Sequence, residues 1–387
     1  MRVKDPGRLY FNKDHEMVRK AVRDFVKKEI IPFEDEWDNQ GKTPLHELFK
    51  KMGNLGYLGI RYDTQYGGEG LDYWYETVFL EEISRVTALG ITMAIMVQPN
   101  MATPAIYEYG SEYLKETFLK PAISGDMVGS IAVTEPDAGS DVSCMRTTAV
   151  KDGNRYIING SKTFITNATQ ADFVTTLVRT SEEPGYHSYS LFVIPTGLDG
   201  FKIGGKMDKL GMRSSDTAEL FFDNVRVPAK NLIGEEGEGF IYQMRQFQHE
   251  RFSALPEAYI ASETMIKLTA DYIKKRIVFG KPLIKKQVLR HRLAHWKSEI
   301  EMLRQLTYHI VRMKMAGLDA TREISMGKLK GAQLARNVAD GCLQMFGGAG
   351  FTSEMPISRF YRDVRLMSIG GGADEVMCDI IAKTEGY

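Results

Sequence analysis

The hydrophobic period changes twice along the 387-residue chain, and this change restricts the folds that the chain can adopt. From about Asn12 to Pro121, apolar residues recur at every third or fourth position, as in a helix with one buried face. From about Met127 to Pro228 the period is two, and runs of β-branched and aromatic residues predict short strands. From about Glu238 onward the period is helical again. The pattern predicts an α+β protein with a helical domain, a β-domain and a second helical domain.

Local signals divide these blocks further. The predicted domains are residues 1–126, 127–236 and 237–387. Pro32 is expected to stop the first helix, and Asp152-Gly153-Asn154 has the composition of a tight hairpin turn. Gly280-Lys281-Pro282 is expected to end a helix. Long helical segments are expected in the last block at Phe240–Phe279, Lys286–Met315 and Arg322–Phe346.

Composition indicates a soluble globular protein without a nucleic-acid partner. Hydrophobic residues make up 43% of the chain and the formal net charge is +0, which gives no electrostatic basis for binding nucleic acid or an anionic membrane. No run approaches the roughly 20 apolar residues of a membrane span. Met1–Tyr10 is too polar for a secretory signal. The three cysteines lack CxxC spacing, so we expect buried thiols in a reducing compartment and no metal site.

A turn-rich segment, Ile131–Asp141, joins the first helical block to the β-block. Thr134 and Ser140 supply small hydroxyl groups, and Gly139 permits close approach of the backbone to a ligand. These features suit a flat polar heterocycle or a pantetheine-like chain. Taken alone, the segment is explained at least as well by an ordinary turn rich in Asp and Ser.

Phe164 and Thr166 lie two residues apart in a predicted strand, so their side chains are expected on the same face. An aromatic ring there can pack on a flat ligand while the hydroxyl bonds the polar edge of that ligand. A core Phe beside a surface Thr is the equally simple alternative.

Two glycine-containing segments interrupt the last helical block. Arg276–Pro282 predicts a helix stop with basic residues that complement the helix dipole. Gln344–Phe351 predicts a second stop, and its spaced glycines suit a pyrophosphate. It is not a dinucleotide fingerprint, because a helix rather than a strand precedes it.

Together and in this order, the four segments resemble the acyl-CoA dehydrogenases, flavoenzymes of fatty-acid and branched-chain acyl-CoA oxidation. The resemblance extends from Phe11 to about Lys383. It implies a β-barrel or β-sandwich middle domain, a C-terminal four-helix bundle, FAD as cofactor and an acyl-CoA substrate of fatty acid beta-oxidation. It also implies an electron-transferring flavoprotein as electron acceptor and a homotetramer built as a dimer of dimers. The expected compartment is the bacterial cytoplasm or the mitochondrial matrix.

The resemblance further implies roles for residues at matching positions. Flavin-ring contacts are expected from Ile131, Val133, Thr134, Phe164 and Thr166. Contacts to the rest of FAD, partly across a subunit interface, are expected from Arg276, Phe279, Gln287, Gln344, Gly348 and Glu375. Substrate contacts are expected from Ser140, Gln248, Arg251, Gly371, Gly372, Met93 and Met96. Ala373 replaces the threonine common in the family, which puts one hydrogen bond to the cofactor in doubt.

The expected catalytic carboxylate is not at the usual position of the resembled family. Most members carry a Glu in a Tyr-Glu-Gly-Thr run, which here is Gly370-Gly371-Gly372-Ala373. A minority carries the base on a long helix at a Glu followed by Arg, and Glu250 matches that position. Glu250 would enter the space left by Gly371, whose N–H could still polarise the thioester carbonyl. Asp374 and Glu375 are the rival carboxylates, displaced along the chain.

Substrate length and two other functions stay open. Met93 and Met96 lie on the helix that lines the acyl cavity in the resembled family, and their flexible side chains favour medium, long or methyl-branched chains. Plain core packing is the alternative. Pro256 is expected to kink the helix near Glu250. The other functions are a flavin oxidase of the same fold and a non-catalytic acyl-CoA-binding scaffold without a base.

Overall fold

The structure, a computed structural model, describes residues 9–387. The described chain has helices at both ends and one large sheet between them. The prediction that Met1–Tyr10 is no secretory signal lies almost entirely outside the described residues. Within the described part, we find no helix that is long and apolar enough to cross a membrane.

The N-terminal domain is helical, as predicted. Asn12 caps the first helix, because its side-chain oxygen accepts the backbone N–H of His15 at 2.9 Å. Pro32 does not stop the helical run: Ile31–Phe33 forms one 3₁₀ turn, in which the missing N–H is tolerated, and a helix resumes at Glu34. The helices are α1 Lys13–Phe25, α2 Glu34–Gln40, α3 Leu45–Gly53, α4 Tyr73–Ile83, α5 Leu89–Met96, α6 Pro104–Tyr109, α7 Glu112–Leu114 and α8 Lys120–Ile123.

The middle domain is built on one eight-stranded sheet. The strands are β1 Gly129–Ala132, β2 Thr148–Asp152, β3 Arg155–Thr166, β4 Phe173–Arg179, β5 Tyr189–Pro195, β6 Phe201–Ile203, β7 Thr217–Pro228 and β8 Leu232–Ile233. Their order is β6-β7-β3-β2-β4-β5-β8, and β1 pairs with β4 in parallel. The predicted hairpin turn is confirmed: Asp152 pairs with Arg155, and Gly153 between them has φ 60°.

The C-terminal domain consists of α9 Gly239–Lys275, α10 Gln287–Met315, α11 Thr321–Phe346, α12 Pro356–Asp363 and α13 Asp374–Glu385. Helix α9 ends four residues before the predicted Phe279 and runs on through Pro256. Gly280-Lys281-Pro282 does not end a helix, which corrects the prediction. Strand β9 (Ile277–Val278) pairs with β10 (Lys281–Pro282), and Phe279 and Gly280 form the turn with φ values of 49° and 74°.

The core follows the same division. The main cluster joins the two helical domains, for example through Phe79 and Tyr259. The sheet is buried on both faces: Phe173 and Leu177 of β4 pack against the N-terminal helices, whereas Val174 and Val178 point into a separate cluster on the other face. The prediction of buried thiols was wrong for two cysteines, because only Cys342 is buried and the other two are exposed.

Candidate active site

Glu250 on α9 and Gly371 on the loop before α13 lie against each other. Gly371 has φ +65°, a conformation that disfavours side chains. A Cβ at Gly371 would lie 3.1 Å from Oε1 of Glu250 and 3.6 Å from Cδ of the same carboxylate. The loop backbone therefore approaches the carboxylate at a distance that leaves little room for a side chain at position 371.

Two cations hold this loop. Arg251 Nε donates to the carbonyl oxygen of Gly371 at 2.9 Å, and Lys328 Nζ donates to the carbonyl oxygen of Gly372. Arg251 is buried and was predicted near the substrate, whereas Lys328 was missed. A signal for Lys328 existed in the sequence, because it shares a face of α11 with the buried Ile324, four residues before it.

The surroundings of Glu250 make its carboxylate a stronger base than an ordinary glutamate. Burial raises the pKa of Glu250 above its ordinary value of 4.5, although the charges of Arg251 and Lys328 oppose the rise. Burial also lowers the pKa of Lys328 to about 8. A carboxylate whose pKa is raised in this way accepts a proton more readily than an exposed glutamate does.

The five residues predicted to contact a flat ring come from two neighbouring segments. Thr163 N–H donates to the carbonyl oxygen of Thr134 at 2.9 Å, and Ser130 Oγ donates to that of Thr166 at 2.6 Å. These bonds place Ile131, Val133 and Thr134 beside Phe164 and Thr166. The five residues thus lie on one stretch of the middle domain.

Phe164 has the geometry that a flat aromatic ligand would use. Its side chain is 68% exposed, although its neighbours Thr163 and Ile165 are buried. Its φ of 60° and a shift in the pairing register between Lys162 and Ile165 show a bulge in β3. Thr166 is also partly exposed, so the predicted common face of Phe164 and Thr166 agrees with the burial pattern.

A buried ion pair fixes the segment that precedes this surface. Lys162 is fully buried, and its Nζ donates to Oε1 of Glu135 at 2.8 Å and to the carbonyl oxygen of Val133 at 3.0 Å. Glu135 also accepts the backbone N–H groups of Arg146 at 2.6 Å and Thr147 at 3.0 Å. Sequence reasoning missed Lys162, which shares the inward face of β3 with Ile158.

The residues expected to reach the rest of FAD form a second group on the C-terminal domain. The β9–β10 turn carries Phe279, which is 91% exposed, and Gln287 starts α10. Gln344 and Gly348 flank the end of α11, where Gly347 has φ 62°. Tyr272 stacks on Phe346 with ring centroids 4.3 Å apart, which keeps the ends of α9 and α11 together.

Glycines beside a cation are residue types expected at a diphosphate, since backbone N–H groups and positive charge both favour an anion. Arg276 is exposed beside the β9–β10 turn, at the end of α9. Glu375 is exposed in the first turn of α13. The assignment of the two groups of residues to the two halves of a flavin dinucleotide stays a prediction.

The residues predicted to contact substrate differ in their exposure, and only Arg251, Gly371 and Gly372 are shown to lie at Glu250 or the loop against it. Gln248 has a buried side-chain oxygen without a hydrogen-bond partner in the described chain, whereas Ser140 is exposed. Gly372 has φ +102°. The two methionines differ: Met96 is 1% exposed and belongs to the main core, but Met93 is partly accessible. Of the two, only Met93 has a surface that a substrate could contact.

His249, the residue before Glu250, belongs to a polar network that was not predicted from the sequence. Arg61 can only donate, so Nδ1 of His249, 3.0 Å from Arg61 Nη2, is an acceptor. Nε2 of His249 therefore carries the proton and donates to Oε1 of Glu108 at 3.1 Å. Burial lowers the pKa of His249, so the imidazole is neutral at pH 7.

Three family models match consecutive parts of the chain. They describe the acyl-CoA dehydrogenase N-terminal domain at residues 12–126, the middle domain at residues 130–225 and the C-terminal domain at residues 237–385. Their order agrees with the order of the helical, β and helical blocks.

Individual proteins are similar over nearly the whole chain. The identity is 38% over 380 residues with the long-chain specific acyl-CoA dehydrogenase, mitochondrial, of Sus scrofa, covering 97% of this chain and 87% of that protein. The acyl-CoA dehydrogenase from Geobacillus kaustophilus has a TM-score of 0.93 and 38% identity, with 98% and 99% of the two chains covered. A glutaryl-CoA dehydrogenase from Mycobacterium smegmatis in complex with FADH2 has a TM-score of 0.91 and 31% identity, with 99% and 96% covered.

Proposed function

The chain belongs to the acyl-CoA dehydrogenase family, and from this premise we propose that Glu250 is the base that removes the α-proton of an acyl-CoA thioester. The protein is an FAD-dependent oxidoreductase. The observation that supports Glu250 most directly is its position 3.1 Å from the place where a side chain of Gly371 would begin.

The chemistry explains why such a base needs this setting. A C–H bond next to a thioester is a very weak acid, so the base must be strong and the carbonyl oxygen must be polarised by donors. Burial raises the pKa of Glu250, which strengthens it as a base. The N–H of Gly371 has no acceptor among the described residues, and we assign it to the thioester carbonyl.

FAD, when bound, supplies the acceptor for the β-hydride. The ring-side residues Ile131, Val133, Thr134, Phe164 and Thr166 would hold its flat system against the middle domain. Arg276, Phe279, Gln287, Gln344 and Gly348 would hold its diphosphate half across an interface between subunits. The exposed position of Phe279 supports this assignment, because an aromatic side chain that projects from a turn is stabilised by a partner surface.

The proposed substrate is an acyl-CoA with a medium, long or methyl-branched chain, oxidised to the trans-2-enoyl-CoA. The partly accessible Met93 supports a long apolar pocket, since a thioether side chain adapts to irregular contacts. The proposed electron acceptor is an electron-transferring flavoprotein, and the proposed assembly is a homotetramer. The electron acceptor and the assembly are both proposed because the whole chain resembles the family.

Glu250→Gln tests the assignment of the base. The amide keeps the shape of the side chain but cannot accept the proton, so the rate of flavin reduction should fall by about 10²–10⁴-fold. FAD should remain bound, because the carboxylate is not among the proposed FAD contacts. The measurement is anaerobic bleaching of the flavin band after mixing with butyryl-, octanoyl- and hexadecanoyl-CoA.

Asp374→Asn is the matched control, since Asp374 is the neighbouring carboxylate of the rival assignment. It should leave the rate within a few-fold of the parent protein. A Glu250→Gln enzyme that reduces flavin at close to the parent rate would contradict the proposal. If the parent protein itself shows no bleaching with any acyl-CoA, it is a scaffold, and rapid reoxidation by oxygen would identify an oxidase.

A further inference from the structure

Glu257 is a buried carboxyl group that the proposed reaction does not use. It lies on α9 seven residues after Glu250 and is 1% exposed. Its Oε1 has no hydrogen-bond partner among the described residues. A buried polar group without a partner is unfavourable, so such a group in a folded protein calls for an explanation.

Glu257 shares a helix face with Glu250. Seven residues are almost two full turns of an α-helix, so the two side chains leave α9 in nearly the same direction, about 10.5 Å apart along the axis. Ala254 lies between them on the same face. From residue 251 to residue 262, Ala254 is the single residue that is not fully buried. On this face Glu250 and Ala254 are partly accessible, and the buried Glu257 lies beyond them.

Helix α5 is the second element that we assign to the acyl pocket. Helices α5 and α9 pack against each other, and Met93 is the single residue of α5 that is partly accessible. The start of α5 lies at the Glu257 end, because Leu89 donates its N–H to Asp363, whose charge acts on Glu257. Ala254 and Met93 are thus the partly accessible residues of two buried stretches on helices that pack against each other.

Asp363 makes the Glu257 end of this space acidic. It is 1% exposed and accepts the N–H of Met212 at 2.6 Å and the N–H of Leu89 at 3.1 Å. Each of its two oxygens therefore accepts one backbone N–H, and we find no hydrogen bond between Asp363 and Glu257 in the described chain. Burial together with the charge of Asp363 raises the pKa of Glu257 to about 8. At neutral pH Glu257 keeps its proton and can donate one hydrogen bond and accept another.

We propose that Glu257 forms the far end of the acyl pocket and selects acyl-CoA substrates that carry a neutral hydrogen-bonding group, such as a hydroxyl, at the distal end of the chain. This inference rests on the proposed function of Glu250. An alkyl chain would leave Glu257 without a partner, whereas a hydroxyl would satisfy it. A distal carboxylate would place a negative charge in a buried site beside the carboxyl groups of Glu257 and Asp363.

The test compares three substrates of matched length: octanoyl-CoA, ω-hydroxyoctanoyl-CoA and octanedioyl-CoA. The FAD-loaded parent protein should prefer the hydroxylated chain, and octanedioyl-CoA should be the poorest substrate. In Glu257→Leu the preference for hydroxyl over methyl should fall by at least about tenfold in kcat/KM, since a site that hydrogen-bonds a substrate group rejects the analogue lacking it. Glu257→Gln should keep the preference within about threefold, because an amide also donates and accepts.

Glu263→Gln is the matched control, as Glu263 lies on the same helix but faces Lys297 and Arg304. It should leave the substrate ratio unchanged. A parent protein that reduces its flavin with octanoyl-CoA at least as well as with the hydroxylated chain overturns the inference and leaves the proposed function intact. The same holds if Glu257→Leu binds FAD and keeps the parent ratio. If no acyl-CoA reduces the flavin, the proposed function itself fails. Should Glu257→Leu not fold, the parent's ranking of the three substrates decides.

Discussion

At the scale of single residues, the two glycines at positions 371 and 372 provide space for different groups. A side chain at Gly371 would contact the Glu250 carboxylate. At Gly372 a Cβ would lie 2.8 Å from Cε of Met377 and 3.4 Å from Nη2 of Arg251. The first glycine therefore leaves space for the proposed base, and the second leaves space for Met377 beside the cation that anchors the loop.

Moving the carboxylate back to the loop tests this relation. Gly371→Glu alone should destabilise the protein by about 1–3 kcal/mol, because residue 371 has a left-handed backbone and its side chain would meet Glu250. Combining it with Glu250→Gly removes the contact and places one carboxylate in the same space. The double variant should reduce flavin faster than Glu250→Gly alone, as measured by anaerobic bleaching with octanoyl-CoA.

The rate of flavin reduction in the double variant is compared with the rate in Glu250→Gly alone. Equal rates in the two variants, with FAD bound in both, would show that position 371 cannot present a base in this protein. Urea denaturation of each variant separates loss of the carboxylate from loss of the fold.

At the scale of elements, the unit formed by β1, β3 and the Ile131–Asp141 segment depends on the buried Lys162–Glu135 pair. Burial lowers the pKa of Lys162 to about 8, although Glu135 opposes this. Burial alone would raise the pKa of Glu135, but the charge of Lys162 and the N–H of Arg146 hold it below 4.5. Each of the two groups therefore stabilises the charged form of the other.

Lys162→Met should therefore destabilise the protein by about 3–5 kcal/mol and weaken FAD binding, since it leaves Glu135 buried without its cation. Lys162→Met combined with Glu135→Leu should recover part of the lost stability, because no charge then remains buried. The measurements are urea denaturation and FAD content after gel filtration. Lys151→Met on β2 is the control, as this side chain is 61% exposed, and it should have little effect on either quantity.

Elements with a strong local period could be predicted, and those set by local backbone geometry could not. The short strands of the middle block and the Gly153 turn were predicted correctly, since runs of β-branched and aromatic residues and a glycine with positive φ are local properties. The β9–β10 hairpin was missed because its two-residue strands are too short to show a period. Pro32 was misread because proline excludes an α-helical hydrogen bond but tolerates the 3₁₀ turn found there.

The residues of the candidate site could not be predicted from local sequence patterns alone. Residues 250 and 371 are far apart in sequence, and no periodicity brings them together; the resemblance to a family suggested the pair. Lys328 and Glu257 were not predicted as site residues, because charged residues on helices are ordinarily exposed to solvent. Their partners lie on other elements and become visible only in three dimensions.

At the scale of the whole molecule, several large apolar side chains are exposed on the C-terminal domain. Phe279 is 91%, Phe351 is 87% and Val288 is 70% exposed. Phe279 also has φ 49°, which is unfavourable for a residue with a side chain. Exposed apolar groups near the proposed diphosphate residues fit an interface between subunits that also completes the FAD site.

Phe279→Ser should lower the oligomeric state and the FAD content together, because one side chain would serve both. The measurement is light scattering coupled to gel filtration, with the ratio of flavin to protein absorbance read in the same run. Val150→Ser on β2 is the control, since Val150 is also exposed, at 63%, but lies on the middle domain. A tetramer of unchanged flavin content after Phe279→Ser would contradict the assignment.

Helix α9 is one continuous element that carries Glu250 and Glu257 and leads to the turn with Phe279. It is 37 residues long, which corresponds to about 55 Å. Its first turn packs against β5, its middle carries Glu250 and Glu257, and its end leads into the turn with Phe279. Pro256 lies inside this helix and has no N–H to donate to the carbonyl oxygen of Phe252. The hydrogen-bond ladder of α9 is therefore interrupted one residue before Glu257 and six residues after Glu250, so a bend at this point would change the angle between the part that carries Glu250 and the part that leads to Phe279.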